Sequence, residues 1–381
     1  MKDFLLLDEQ LSVTERQIRD NVREFVAEHA LPKMAKAFED AVFPEELTAQ
    51  MAQLGLFGMT LPTEYGGANA NYVSYGLACQ ELEYGDSSLR SFVSVQSSLV
   101  MFPIFHYGST DQKKYFLPKL ASAQFIGCFG LTEPDSGSDP ASMQTTAQPV
   151  QDGYILNGNK MWITNGDIAD IAIVWAKTPD GIRGFIVEKN SPGFIQKTVK
   201  HKMSLRASHT GELILNDCFV PQSHYLAGTQ TGLSAALKCL TQARYGIAWG
   251  ANGAAQACYD TALEYCQLRK QFNQPLASFQ LVQKDLVDML NEIVKAQTLN
   301  LHLGRLMDKQ QAHFAMISLA KMNACQNALN IARSARNLLG ANGISLEYPV
   351  IRHMNNLESV FTYEGTDNIH HLIVGRHITG L

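Results

Sequence analysis

The chain has 381 residues, 46% hydrophobic and 18% charged, enough for two or three domains with sizeable cores. Its net charge of −5, with no basic run, argues against nucleic acid as the principal partner. Seven scattered cysteines with no C-x-x-C suit free thiols and argue against a disulfide framework or zinc site, and no apolar run reaches membrane-spanning length. The opening MKDFLLLDEQLSVTE is too acidic for a signal peptide and lacks the arginines of a transit peptide. The expectation is a cytoplasmic protein, or a processed one of the mitochondrial matrix.

The first third reads as helix. Thr14-Glu-Arg-Gln17 has the spacing of a capping box, Ile18, Val22, Phe25 and Val26 recur on one face, and Pro32 is expected to close that helix. A second helix is expected from Phe43-Pro44 to Gly55, then a long helical segment over 71–106. Inside that segment Arg90 and Ser94 share a face at i, i+4. An arginine among small hydroxyl residues suits a two-pronged grip on a carboxylate, and an inter-helix ion pair fits equally well.

From about residue 125 to 225 the signals change to strands and turns. Phe129-Gly-Leu-Thr-Glu-Pro-Asp-Ser-Gly-Ser-Asp-Pro140 gathers glycines and hydroxyls into a loop able to nest a phosphate or a polar heterocycle, although plain hydrophilic loops share this composition. Asn157-Gly158, between two apolar runs, predicts a hairpin turn, and Pro179-Asp-Gly181 predicts a second between Ile171–Ala176 and Phe185–Glu188. A further strand is expected over Gly211–Val220. Met161-Trp-Ile-Thr-Asn-Gly166 places an indole beside a hydroxyl, either a wall for a planar cofactor or ordinary core. Helical periodicity returns over 233–267, 276–306, 311–340 and 368–379. Helices, then strands, then helices make an α+β architecture, and no G-x-G-x-x-G opens a helix, so a dinucleotide-binding unit is not expected.

Thr362-Tyr-Glu-Gly-Thr366 is the most unusual stretch. Asp and Asn favour turns by bonding to their own backbone, but Glu gains nothing there, which leaves Glu364 as a solvated loop residue, a metal ligand or a catalytic base. His370, His371 and His377 nearby lack metal-site spacing, and no metal is expected. Arg269-Lys-Gln-Phe272, with Gln280 downstream, reads on its own as a charged helix end.

Taken together, FGLTEPDSGSDP, WITNG, R-K-Q-F, LLGANGIS (338–345) and TYEGT resemble the acyl-CoA dehydrogenase family across the whole chain. Within it, the stretches Leu89–Met101, Met203–Ser208, Ala243–Trp249 and Ile378–Gly380 are most similar to the glutaryl-CoA dehydrogenases. The resemblance implies an N-terminal helical domain (1–124), a middle β-sheet or barrel domain (125–232) and a C-terminal four-helix bundle (233–381), assembled as a homotetramer. It implies FAD held by Phe129, Leu131, Thr132 and Ser138, with Trp162, Ile163 and Thr164 flanking the flavin. Arg269, Phe272, Gln280, Asn337, Gly340 and Ala341 would meet the FAD of a neighbouring subunit, and Thr366 and Asn368 would close the site. Glu364 takes the position of the family's catalytic base. Arg90, Ser91 and Glu83 take the positions that meet a substrate's distal carboxylate. Ser138, Arg244, Tyr363 and Gly365 complete the substrate side. The implied reaction is oxidative decarboxylation of glutaryl-CoA to crotonyl-CoA, with electrons passed to an electron-transferring flavoprotein. Members that act on short or branched acyl-CoA, or on glutaryl-CoA without decarboxylation, share much of this pattern.

Overall fold

A computed structural model of the chain describes residues 3–381. Helix α1 (Val13–Phe25) begins at Ser12, whose hydroxyl accepts from the Glu15 amide while the Glu15 carboxylate accepts from the Ser12 amide. The capping box therefore precedes the Thr14–Gln17 spacing. Pro32 does not end the helix. A π-turn over Val26–Ala30 joins α1 to α2 (Leu31–Asp40) and places Pro32 in the first turn of α2, where its missing N–H and its ring are tolerated. Helix α3 (Glu46–Gln53) is followed by Gly55 at φ +69°.

The long helical segment is broken once and swollen once. Helix α4 (Tyr72–Gly85) stops at Asp86, which is extended and caps α5 (Ser87–Ser94) by accepting from the Ser88 amide at 2.8 Å. A π-turn over Val95–Met101 leads to α6 (Phe102–Tyr107), followed by α7 (Thr110–Ala121).

Seven strands then form one curled sheet: β1 (Gly127–Gly130), β2 (Thr146–Val150), β3 (Gly153–Thr164), β4 (Ile171–Thr178), β5 (Gly181–Glu188), β6 (Phe194–Thr198) and β7 (Thr210–Pro221). Strand β4 pairs in parallel with β1 and, at Lys177, with β2, and antiparallel with β5. Strands β2, β3, β7 and β6 continue antiparallel. The turn at Pro179-Asp180 and strand β7 agree with the sequence reading. Asn157-Gly158 does not, because β3 runs straight through it and the turn is Gln151-Asp152. Gly158 sits at a bulge against β7, and a Cβ there would lie 2.7 Å from the Thr145 Cα. The glycine serves a close backbone approach within the sheet instead of a turn.

Both faces of the sheet are covered. Ile171, Ile173 and Trp175 of β4 join the large helical core, whereas Ala172, Val174 and Ala176 face a second core inside the curl with Leu156, Phe185 and Leu213.

The C-terminal part comprises α8 (Leu233–Leu268), a hairpin of β8 (Lys270–Gln271) and β9 (Gln274–Pro275), α9 (Gln280–Asp308), α10 (Phe314–Leu338), α11 (Val350–Thr362) and α12 (Asp367–Thr379). Helix α11 has no counterpart in the sequence reading. Its Val-Ile-Arg-His-Met-Asn-Asn start has weak helix propensity, and tertiary contacts hold it. Val350, Leu357 and Val360 are buried, the Arg352 guanidinium reaches Asp86, and Asn356 Nδ2 donates to the same carboxylate at 3.0 Å. All seven cysteines are buried, unpaired thiols. No helix among the described residues is long and apolar enough to cross a membrane.

Candidate active site

The loop between α11 and α12 holds Glu364 at φ +54° and Gly365 at φ +103°. A left-handed glutamate is costly, so the surroundings must hold it. Lys321, buried on α10, donates to the carbonyls of Phe361 (3.3 Å), Tyr363 (3.1 Å) and Gly365 (2.9 Å). Arg244 on α8 donates from Nε to the Glu364 carbonyl at 2.7 Å. Thr366 caps α12 by accepting from the Ile369 amide. His370, fully buried on α12, bonds to Ser318 of α10 at 2.8 Å, and its Nε2 would lie 3.0 Å from a Cβ at position 365. Any residue but glycine at 365 would crowd both His370 and Arg244.

Against this loop packs a buried charged group. Arg90 of α5 donates from Nε to Glu83 Oε2 of α4 at 2.6 Å and from Nη2 to the Tyr363 hydroxyl, with the two ionic side chains 1% and 0% exposed. No bond to Nη1 forms within the chain among the described residues, which leaves that edge of the guanidinium for a ligand. Gly250 of α8 makes room for the pair, since a Cβ there would lie 2.1 Å from Glu83 Oε2. Ser91 is buried one position along the same helix.

Burial pushes the Glu364 carboxyl up to about 7, although Arg90, Arg244 and Lys321 each pull it down. Its Oε2 is buried without a hydrogen-bond partner. Burial also raises Glu83 against the pull of Arg90, and it lowers the Lys321 ammonium. A carboxylate poised near neutrality, beside cations but bonded to none through Oε2, is equipped to accept a proton.

The 129–138 loop continues from β1. Glu133 accepts from the amides of Gln144 (2.5 Å) and Thr145 (3.0 Å) and from Lys160 Nζ (2.8 Å), and Lys160 also donates to the Leu131 carbonyl at 3.0 Å. The Met161 amide donates to the Thr132 carbonyl at 2.9 Å, tying this loop to the Trp162 strand. Phe129, Leu131 and Ile163 are buried core, Thr132 and Thr164 are half-buried and Ser138 is exposed. Trp162, at φ +63°, turns outward and is 61% exposed. An open indole face beside hydroxyls that bond to nothing among the described residues is a donor set suited to a planar, polar heterocycle.

Arg269, Phe272, Gln280, Asn337, Gly340, Ala341 and Asn368 are exposed and do not join the buried cluster within one chain. Phe272 is 88% exposed, at φ +52° on the tip of the β8–β9 hairpin. Among the described residues, no group of His, Cys, Asp and Glu could hold a metal ion. A cavity of about 530 Å³ between α1, α4, α8 and α9 contains none of the predicted site residues.

Three residues of this site escape the sequence reading. Lys321 shares a helical stripe with the apolar Ile317, Ala324 and Cys325, and Lys160 shares an inward strand face with Leu156. A lone lysine in an apolar pattern is the signal that was available for each. Gly250 gives none.

All three domains of the acyl-CoA dehydrogenase family match the chain: the N-terminal domain over residues 12–124, the middle domain over 128–218 and the C-terminal domain over 230–379. An acyl-CoA dehydrogenase of Bacillus subtilis (strain 168) is 37% identical over 97% of this chain and 100% of its own length. A glutaryl-CoA dehydrogenase from Mycobacterium smegmatis superposes with a TM-score of 0.97 and 52% identity, covering 98% of this chain and 97% of that one. A second structure of a glutaryl-CoA dehydrogenase from Mycobacterium smegmatis, in complex with FADH2, superposes with a TM-score of 0.96 and 50% identity, covering 98% and 96%. On the three domain matches and the full-length likeness, this chain belongs to the acyl-CoA dehydrogenase family.

Proposed function

We propose that this chain is an FAD-dependent dehydrogenase of glutaryl-CoA that also releases the distal carboxylate as CO2, yielding crotonyl-CoA. Glu364 is the base. The α-proton of a thioester is weakly acidic, so its removal needs a carboxylate with raised proton affinity and donors for the developing enolate oxygen. Burial supplies the first, bringing Glu364 to about 7. The Glu364 backbone N–H is the donor for the thioester oxygen from this chain, and Gly365 lets the thioester approach. The bound flavin supplies the acceptor for the hydride that leaves the β-carbon.

One observation carries the choice of substrate. Arg90 lies in a dry pocket beside the base, with Nη1 left open after Glu83 and Tyr363 are satisfied. A plain alkyl chain has no use for a buried guanidinium, whereas a distal carboxylate pairs with it. The glutaryl-CoA dehydrogenases at 52% and 50% identity support the same reading. After dehydrogenation the new α,β double bond is conjugated with the thioester, so the bond between the γ-carbon and the carboxylate can break: CO2 leaves, the electron pair passes into the conjugated thioester, and protonation of the γ-carbon gives crotonyl-CoA. An electron-transferring flavoprotein would be the partner that accepts the electrons. FAD binding is completed by assembly into a homotetramer, in which the exposed Arg269, Phe272, Gln280 and 337–341 surface meets the cofactor of another copy. The compartment is the bacterial cytoplasm, or the mitochondrial matrix for a processed chain.

The test is to add glutaryl-CoA and butyryl-CoA separately to flavin-loaded protein, following flavin bleaching and CO2 release. Bleaching with glutaryl-CoA and CO2 in step with turnover is expected. Bleaching with butyryl-CoA alone would favour a short-chain acyl-CoA substrate, and bleaching by glutaryl-CoA without CO2 would favour dehydrogenation alone.

A further inference from the structure

The buried lysine of α10 has no evident partner of its own chemistry. Lys321 forms no ion pair among the described residues, and its three bonds all go to carbonyls at the end of α11 and in the loop that carries Glu364. A trans peptide is planar, with its C=O and N–H pointing in opposite directions. The carbonyl of Tyr363 and the amide of Glu364 belong to one such peptide. Fixing the Tyr363 carbonyl toward Lys321 at 3.1 Å therefore aims the Glu364 N–H away from it. That N–H has no acceptor within the chain among the described residues, so it is a donor kept free. Neighbouring carbonyls are held too, those of Phe361 before it and Gly365 after it by Lys321 and that of Glu364 by Arg244, which opposes a flip of the peptide.

We propose that Lys321 is the positioning residue for the oxyanion donor: by holding the Tyr363 carbonyl, it points and polarises the Glu364 N–H toward the thioester oxygen of the substrate. A carbonyl bonded to a cation makes the N–H of the same peptide a stronger donor, because charge displaced at one end of the amide is drawn through to the other. Lys321 touches neither substrate nor flavin and acts through this peptide. The inference rests on the reading of Glu364 as the base of a thioester dehydrogenase, yet it concerns the backbone of Glu364 and not its carboxyl.

The test compares a butyryl-CoA thioester with the matched thioether, in which CH2 replaces the carbonyl. FAD-loaded Lys321→Met is expected to bind the thioether as the wild type does, to lose affinity for the thioester by several-fold and to slow flavin reduction by roughly 10–10²-fold, less than outright deletion of an oxyanion donor. Lys321→Arg, which keeps charge and donors, should recover most of the thioester preference. Equal losses on thioester and thioether, or no loss on either, would overturn the proposal. Should Lys321→Met fail to hold FAD, the neutral and shorter Lys321→Gln decides in its place: a thioester-only deficit supports the proposal, and wild-type affinity for both ligands overturns it. Glu364→Gln keeps the backbone N–H, so it should lose flavin reduction but retain the thioester-to-thioether affinity ratio. Turnover by that variant would remove Glu364 as the base, whereas a collapsed ratio in Lys321→Met with turnover lost in Glu364→Gln supports both assignments separately.

Discussion

The two loops that frame the site, 129–138 and 362–366, are each held by a buried lysine, but the two lysines are set in different company. Lys160 has an acid, Glu133, at 2.8 Å and one carbonyl at 3.0 Å, and Glu133 is itself held by two amides and a hydroxyl. Burial opposes ionisation of Glu133, yet these bonds bring its carboxyl down to about 2, while burial brings Lys160 to about 8 despite its partner. The charges cancel, and the 129–138 loop gains rigidity with little net field. Lys321 has only carbonyls, so its charge remains to act on Glu364. A paired lysine fastens its loop, whereas a lysine without an acid both fastens its loop and tunes the carboxyl it carries.

The largest expected effect breaks the chemistry of the second loop. Glu364→Gln should retain FAD, measured by its visible spectrum, and lose flavin reduction by roughly 10²–10⁴-fold. Next comes the first loop. Lys160→Met leaves Glu133 buried without its cation and should destabilise the protein by about 3–5 kcal/mol, read in thermal unfolding and FAD release, whereas the double change Glu133→Gln with Lys160→Met should recover much of that loss. No acid can be removed to rescue Lys321→Met in the same way, which makes the pair of experiments a direct test of the contrast.

Arg90→Met should cost glutaryl-CoA about 2–5 kcal/mol in kcat/KM relative to butyryl-CoA, because a buried carboxylate loses its cation. Equal losses on both substrates would make Arg90 a structural ion pair with Glu83. The smallest effect is in pH. Glu364 must be ionised to accept a proton, so flavin reduction should fall about tenfold per pH unit below about 7 and level off above it. Arg90 from α5, Arg244 from α8 and Lys321 from α10 face that carboxyl with positive charge. Glu83 from α4 is occupied by Arg90, and His370 from α12 is held neutral, burial pushing it down to about 3. Removing the Lys321 charge should therefore move the acidic limb to higher pH, and a limb that stays in place would break the comparison.

Much of the site was legible because certain residues had no local reason to be where they are. Glu364 stood in a turn that glutamate does not favour, and Arg90 stood on a face of small hydroxyl residues. Local rules failed where distant contacts took over. Pro32 was absorbed by a π-turn, Asn157-Gly158 became a strand bulge against Thr145, and α11 formed on contacts with Asp86, far away in sequence. His370, in the sequence one of three histidines without metal-site spacing, is a buried neutral wall under Gly365.

By itself the sequence determined the order of helices and strands, through hydrophobic periodicity, and the chemical identity of the groups able to do the work. Tertiary structure alone decided their ionisation and direction. Glu364 reaches about 7 because burial of its carboxyl outweighs the three cations offered by α5, α8 and α10, and no spacing within the chain encodes that balance. Its N–H points where it does because Lys321, 42 residues from Tyr363, holds the carbonyl on the other side of the same rigid peptide.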